Sequence, residues 1–238
     1  ILLFTLSFVS CDKNKVAQED ETGKISIEIA HTVDGNELKT DQFIYSNAAG
    51  NQYLVSNIQW FISGIQLIRP DKSSIELKNE GGIFYIDTDI AESMNVLPTD
   101  EILAGEFSGM RFTFGISEAI NKTHLFVNPP QSFMFWPDYL GGGYHYMKLN
   151  GKWINNSGVS EPFNFHLGIG QVYDSLAPKS KYITVRDCCS AHCEGYSPPN
   201  KNMPVVGFIH NEFEIQFDDV PFTVEVNKIT QMKIEMKI

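Results

Sequence analysis

Lys24-Ile-Ser-Ile-Glu-Ile-Ala30 decides how the rest of the chain is read, because Ile25, Ile27 and Ile29 alternate with Ser26, Glu28 and Ala30. Neighbouring side chains on a strand point to opposite faces, so a period of two describes a strand with one dry face and one wet face. Val33-Asp34-Gly35-Asn36 closes the run with residues that accept the tight backbone of a turn. Working outward, similar runs predict strands at Tyr53–Ile68, Gly82–Asp87, Gly109–Gly115, Gly143–Leu149 and Phe163–Leu167. Further ones are expected at Tyr182–Val185, Val205–Ile209, Phe213–Phe217, Phe222–Val226 and Met232–Ile238. This spacing points to an all-β fold, an antiparallel Greek-key sandwich or barrel with long loops. Helical periodicity is weak, leaving short helices near Ile90–Met94 and Ser117–Lys122, each opened by an Asp or Ser as N-cap.

The composition of the 238 residues agrees: 42% are hydrophobic and 12% aromatic, enough for a core and too apolar for a disordered polyanion. The net charge of −11 argues against nucleic acid as a partner, since a phosphate backbone would be repelled. No apolar run reaches the roughly 20 residues that a spanning helix needs.

Residues 1–10, Ile-Leu-Leu-Phe-Thr-Leu-Ser-Phe-Val-Ser, read as the remnant of a signal peptide's apolar segment. Phe8-Val9-Ser10-Cys11 resembles a bacterial lipobox, which makes Cys11 the expected site of lipidation. Residues 11–23 are then the lipidated Cys and a polar tether, and residues 24–238 a single β domain. Acyl chains would hold that domain at a membrane face in the bacterial envelope, at the outer membrane or facing the periplasm, where thiols oxidise.

Several strings in order resemble one family: His31-Thr-Val-Asp-Gly35, Tyr45-Ser-Asn-Ala-Ala-Gly50, Trp60-Phe-Ile-Ser63 and Ile65-Gln-Leu67. They continue with Ile102-Leu-Ala-Gly105, Phe112-Thr-Phe-Gly-Ile116, Met134-Phe-Trp-Pro137, Gly143-Tyr-His-Tyr-Met-Lys-Leu-Asn-Gly151 and Phe163-Asn-Phe-His-Leu-Gly168. Together they resemble the MbnP-like copper-binding domain, related to the methanotroph proteins CorA and MopE, and here closer to the Bacteroidetes-type lipoproteins. The resemblance spans roughly Lys24 to Lys237. It implies a mainly β domain that binds one copper ion through two imidazoles and is not an enzyme. It further implies a tryptophan oxidised to kynurenine as third donor, installed by a di-haem partner of the MbnH and cytochrome c peroxidase type. The carriers it suggests are His31 and His166 as ligands and Trp136 as the oxidised ring, with His145 a further candidate.

The residues themselves leave alternatives open. Neutral imidazoles are good copper ligands, and two or three beside aromatic walls suit a low-coordinate Cu(I) site. His145 is expected to share a face with Met147 and Leu149, and His166 one with Asn164; adjacent strands would let the two rings converge. Each histidine could instead be an interior or rim residue with a backbone partner. Trp136, among Phe133, Met134, Phe135 and Pro137, is either an aromatic plug or an oxidisable ring in a reachable loop bracketed by Pro129-Pro130 and Gly141–Gly143. Cys188-Cys189-Ser-Ala-His192-Cys193 reads as a small disulfide loop (Cys188–Cys193 or Cys189–Cys193), as a soft metal cluster or as a vicinal Cys188–Cys189 bond. Asp87, Asp89, Glu92 and Asp100, and the pair Asp218 and Asp219, lack the order of a calcium loop and read as solvated loops. No hydrolase, phosphate-loop or dinucleotide motif is present. The rival reading is a metal-free surface module with Trp60, Trp136 and Trp153 as platforms for a glycan or a protein.

Overall fold

The computed structural model describes residues 21–79, 81–174 and 204–238. In chain order the strands are β1 (Thr22–Val33), β2 (Asn36–Glu37), β3 (Tyr45–Ser46), β4 (Gln52–Ile68), β5 (Ser74–Glu76) and β6 (Ile83–Asp87). Next come β7 (Asn95–Val96), β8 (Ile102–Leu103), β9 (Gly105–Phe107), β10 (Gly109–Phe114), β11 (Met147–Ile154) and β12 (Ser160–Leu167). The last are β13 (Gly170–Tyr173), β14 (Val205–Ile209), β15 (Phe213–Phe217), β16 (Phe222–Val224) and β17 (Ile229–Lys237). Short 3-10 turns at Ala91–Met94, Gln131–Met134 and Asp138–Leu140 are the helical pieces among the described residues, and no helix there is long and apolar enough to cross a membrane.

The all-β expectation holds, with a sandwich built from two sheets. One is β17-β1-β2 with β7 and β8 on β1; the other is organised on β4, in the order β12-β11-β4-β10-β15 with β3, β5 and β6 also on β4. The alternation in β1 does what its spacing foretold: Ile25, Ile27 and Ile29 are buried and face Val55, Ile58, Trp60, Ile62, Ile65 and Leu67 from β4. Each such side chain contributes about 1.5–3 kcal/mol on leaving water, so this seam holds the two sheets together.

Several expectations need correction. β1 and β17 pair in parallel, Lys24 with Ile229 through Thr32 with Lys237, so the fold is not wholly antiparallel. Parallel pairing needs a crossover, and the two strands lie at opposite ends of the chain, which supplies one. Residues 117–122 form no helix: the Asn121 amide bonds the Ser117 carbonyl at 2.9 Å, one turn that is not continued. β11 begins at Met147 rather than Gly143. Asp87 is not in a solvated loop but is 3% exposed, its carboxylate accepting from Tyr85 Oη at 2.6 Å and Gln59 Nε2 at 2.9 Å. Cys11, the 182–185 strand and the 188–193 cluster lie outside the described residues.

The junction on β4 positions the site. Trp60 pairs with Met147 and Ile86, whereas Ile62 pairs with Phe114 and Phe84. β11 and β10 therefore lie end to end along one edge of β4, with β6 on the other edge. Between them Phe61 donates to the Tyr146 carbonyl at 3.1 Å and accepts from Gly115 at 2.8 Å. There the chain leaves the sheet, and residues 116–146 form a loop over its outer face. A second small core of Phe61, Ile116, Met134 and Tyr144 anchors that loop.

His31 continues the dry face of β1 and is 3% exposed. The Trp60 indole donates to its Nε2 at 3.1 Å, and because an indole can only donate, the ring's proton sits on Nδ1, which is buried without a partner. Burial lowers its pKa from 6.5 to about 4. A folded-state value below the unfolded one stabilises the protein above pH 6.5 and loses that contribution as pH falls toward 4. Urea unfolding is expected to show weaker stability at pH 5 than at pH 7, and His31→Gln should shrink that difference by about 2 kcal/mol; an unchanged difference would contradict the burial of a neutral ring.

Candidate metal centre

The site begins with a short ladder between the two ends of the loop's tip. Phe135 bridges Tyr144, the Trp136 amide bonds the Gly143 carbonyl at 2.8 Å, and the His145 amide bonds the Met134 carbonyl at 2.6 Å. Trp136 and His145 thus become cross-ladder neighbours although nine positions separate them. The chain turns between them through Asp138–Leu140 and Gly141-Gly142-Gly143, all three glycines having positive φ (122°, 71° and 77°). A Cβ on Gly143 would sit 2.5 Å from Asn121 Oδ1, the oxygen that accepts from the Tyr144 amide at 2.9 Å.

The His145 ring packs edge-on to the Trp136 indole, with centres 4.6 Å apart and planes at 88°. The same ring also meets His166 of β12, with ring centres 5.0 Å apart and planes at 90°. The structure therefore brings Trp136, His145 and His166 together. His145 does not share a face with Met147 and Leu149 as the alternation predicted, because regular pleating starts only at Met147. Those two residues face the main core, and His145 faces the opposite side of the sheet.

His31 does not join them. It points into the sandwich interior with Trp60, whereas Lys148, Asn150 and His166 occupy the outer face, together with Asn57 and Gln59 of β4. The sheet itself lies between the two sets. Among the described residues, no group of three or more His, Cys, Asp or Glu side chains is close enough to hold a metal ion. The protein nitrogens available at this place are the two imidazoles.

Hydrogen bonds fix which nitrogen of each ring is free. His145 Nδ1 lies 2.9 Å from the Met134 carbonyl, which only accepts, so Nδ1 carries the proton and Nε2 the lone pair. His166 Nε2 lies 3.0 Å from Asn150 Oδ1; with the amide turned this way the ring nitrogen donates and the lone pair is on Nδ1. Backbone or amide support of the remote ring nitrogen is the usual arrangement behind a ligating histidine. Two bonds of about 2 Å each from one ion need the two nitrogens within about 4 Å of each other, which ring centres 5.0 Å apart permit. Burial, with help from the Lys148 charge, lowers the His145 pKa to about 3, and the same two causes in the same order lower that of His166. Both rings are neutral and able to ligate at neutral pH.

Lys148, Asn150 and Gly168 were not singled out from the sequence. Lys148 lies directly across from His166 and donates from Nζ to the Phe133 carbonyl at 2.5 Å; burial lowers its own pKa. Period two along Lys148-Leu-Asn150 and Asn164-Phe-His166 places these polar side chains on one face once the strands are paired, which is the signal that could have found them. Trp136 is half-buried, and its indole N–H bonds the Leu140 carbonyl at 3.0 Å. Of the other two tryptophans, Trp60 is 1% exposed and offers no platform. Trp153 lines an open hollow of about 300 Å³ with Asn47, Tyr53 and Phe163, away from the histidines.

Fold and site together define a class: a β-sandwich that carries a supported imidazole pair beside a tryptophan on the outer face of one sheet. The chain belongs to the MbnP family, whose sequence model matches residues 22–235. Among solved structures it is similar to MbnP from Methylosinus trichosporium, at 13% identity over 83% of this chain and 72% of that one, with a TM-score of 0.53. That likeness is one of fold. Among curated proteins no relative matches.

Gly168 is the tightest constraint on the tryptophan: a Cβ there would lie 2.7–2.9 Å from the ring carbons Cε3, Cδ2 and Cζ3 of Trp136. Gly168→Ala should shift the indole, changing the near-ultraviolet circular dichroism and costing about 1–3 kcal/mol by overpacking. An unaltered spectrum and unchanged stability would show that the indole does not pack there.

Proposed function

We propose that this chain is a non-enzymatic copper-binding protein that holds one Cu(I) ion through His145 Nε2 and His166 Nδ1, beside Trp136. The observation that carries this reading is the pair of neutral, remotely hydrogen-bonded imidazoles 5.0 Å apart. Family membership supports a role related to MbnP. The donor chemistry favours copper in its monovalent state: both donors are uncharged nitrogens, and the Lys148 ammonium disfavours a second positive charge. A divalent, oxygen-seeking ion would require carboxylates, and among the described residues neither ring is hydrogen-bonded to one.

In this reading Cys11 is the lipid anchor and the domain works at the bacterial envelope, acquiring or passing on copper. Trp136 is the ring that a di-haem partner would oxidise; the half-exposed indole, in edge contact with His145, fits that role. His31 has no part in it, since its Nε2 lone pair already accepts from Trp60.

Anaerobic Cu(I) loading followed by metal analysis should give one copper per chain, retained in His31→Gln and lost in both His145→Ala and His166→Ala. A chain that takes up no copper, or loses it equally on His31→Gln, would contradict the assignment. Lys148→Gln, which removes the neighbouring charge, should tighten Cu(I) binding several-fold and allow Zn²⁺ to compete; unchanged affinity and selectivity would show that the ammonium does not act on the ion.

A further inference from the structure

A chain of side-chain amides leads away from His166 across the outer face of the sheet. His166 Nε2 meets Asn150 Oδ1 at 3.0 Å, Asn150 Nδ2 donates to Asn57 Oδ1 at 2.9 Å, and Asn57 Nδ2 donates to Asp89 Oδ2 at 3.3 Å. The register accounts for it, since Asn57 lies directly across from Asn150 and His166 lies diagonal to Asn150. Each amide has a donor end and an acceptor end and can be turned either way, so the two amides alone could run in either sense. The carboxylate cannot be turned: ionised, it only accepts.

We propose that Asp89, three hydrogen bonds from the ring, is a positioning residue that sets the tautomer of His166. Because Asp89 accepts, Asn57 must present its Nδ2 to it and keep Oδ1 for Asn150. Asn150 must then give Nδ2 to Asn57 and present Oδ1 to the ring. The ring answers with a proton on Nε2 and a bare Nδ1, the atom that faces away from the amides and is free to ligate. In the opposite sense Asn150 would donate to Nε2, occupy its lone pair and leave a proton on Nδ1, so neither nitrogen would be available. No proton moves between groups of the chain; the carboxylate selects the direction in which existing donors point. This inference gives the proposed copper site its ligating atom and so rests on that reading, but the tautomer is a property of the metal-free protein and is measured there.

The test is nitrogen-15 NMR of the imidazole side chains in metal-free protein at about pH 8, where the ring is neutral. Wild type should show His166 protonated on Nε2 alone. Asp89→Lys, at an exposed position, replaces an acceptor with a group that only donates. It should turn both amides and move the proton to Nδ1, an inversion that the ring's own preference would not produce. Adding Asn150→Asp to Asp89→Lys puts an obligate acceptor beside the ring and should restore the proton to Nε2. In the Cu(I)-loaded protein, Asp89→Lys should weaken binding at least tenfold. A wild-type ring protonated on Nδ1, or an Asp89→Lys ring still protonated on Nε2, would overturn the proposal. If Asp89→Lys inverts the tautomer while the wild-type protein takes up no copper, the relay stands and the copper reading falls, so the two failures are distinct.

Discussion

One backbone carbonyl organises the site. The Met134 oxygen accepts both the His145 main-chain amide, at 2.6 Å, and the same residue's Nδ1, at 2.9 Å. The carbonyl is held because the Met134 side chain is fully buried in the small core with Phe61, Ile116 and Tyr144. Apolar burial on one side of the residue therefore becomes ring orientation on the other. The same ladder sets Trp136 against His145, and the pairing of β11 with β12 delivers His166 to meet them.

The pleat of the β4 sheet divides the histidines by chemistry. On the inner face His31 meets an indole N–H in a dry core, where its lone pair is spent on a neighbour. On the outer face the rings meet a carbonyl and an amide that take their protons and leave lone pairs free. His31 and His145 are kept neutral by burial, and partial desolvation with the Lys148 charge lowers the pKa of the more exposed His166 as well, so neutrality alone does not separate a structural histidine from one able to ligate. What differs between them is the hydrogen-bond partner: a donor occupies the lone pair of His31, whereas acceptors at His145 and His166 leave one lone pair on each ring.

Most of the architecture was legible because period two is local. Ile25, Ile27 and Ile29 gave the dry face of the first strand, and Asp34-Gly35 gave its turn, where both residues take positive φ (50° and 76°). The parallel pairing of β1 with β17 was not legible, since nothing in either strand records which way its partner runs. Trp136 and His166 were singled out from their strings, and the structure places both rings beside His145. His145 was read on the wrong face because the alternation was extended through residues 144–146, where the chain is leaving the loop rather than pleating. His31 looked equivalent to the others, and only the Trp60 contact shows that it is not. Lys148, Asn150, Asn57 and Asp89 acquire meaning through register, which pairing across three strands creates and no single stretch of sequence contains.

The central claim is that one ion is held by nitrogens of the outer-face imidazole pair. X-ray absorption at the copper K-edge of the Cu(I)-loaded protein tests it most directly, because imidazole leaves a multiple-scattering signature and thiolate sulfur gives a longer, stronger first shell. The account predicts a low-coordinate nitrogen shell with the scattering of two imidazoles. A sulfur-dominated shell, which would move the ion to Cys188, Cys189 and Cys193, or a shell without imidazole scattering, would contradict it.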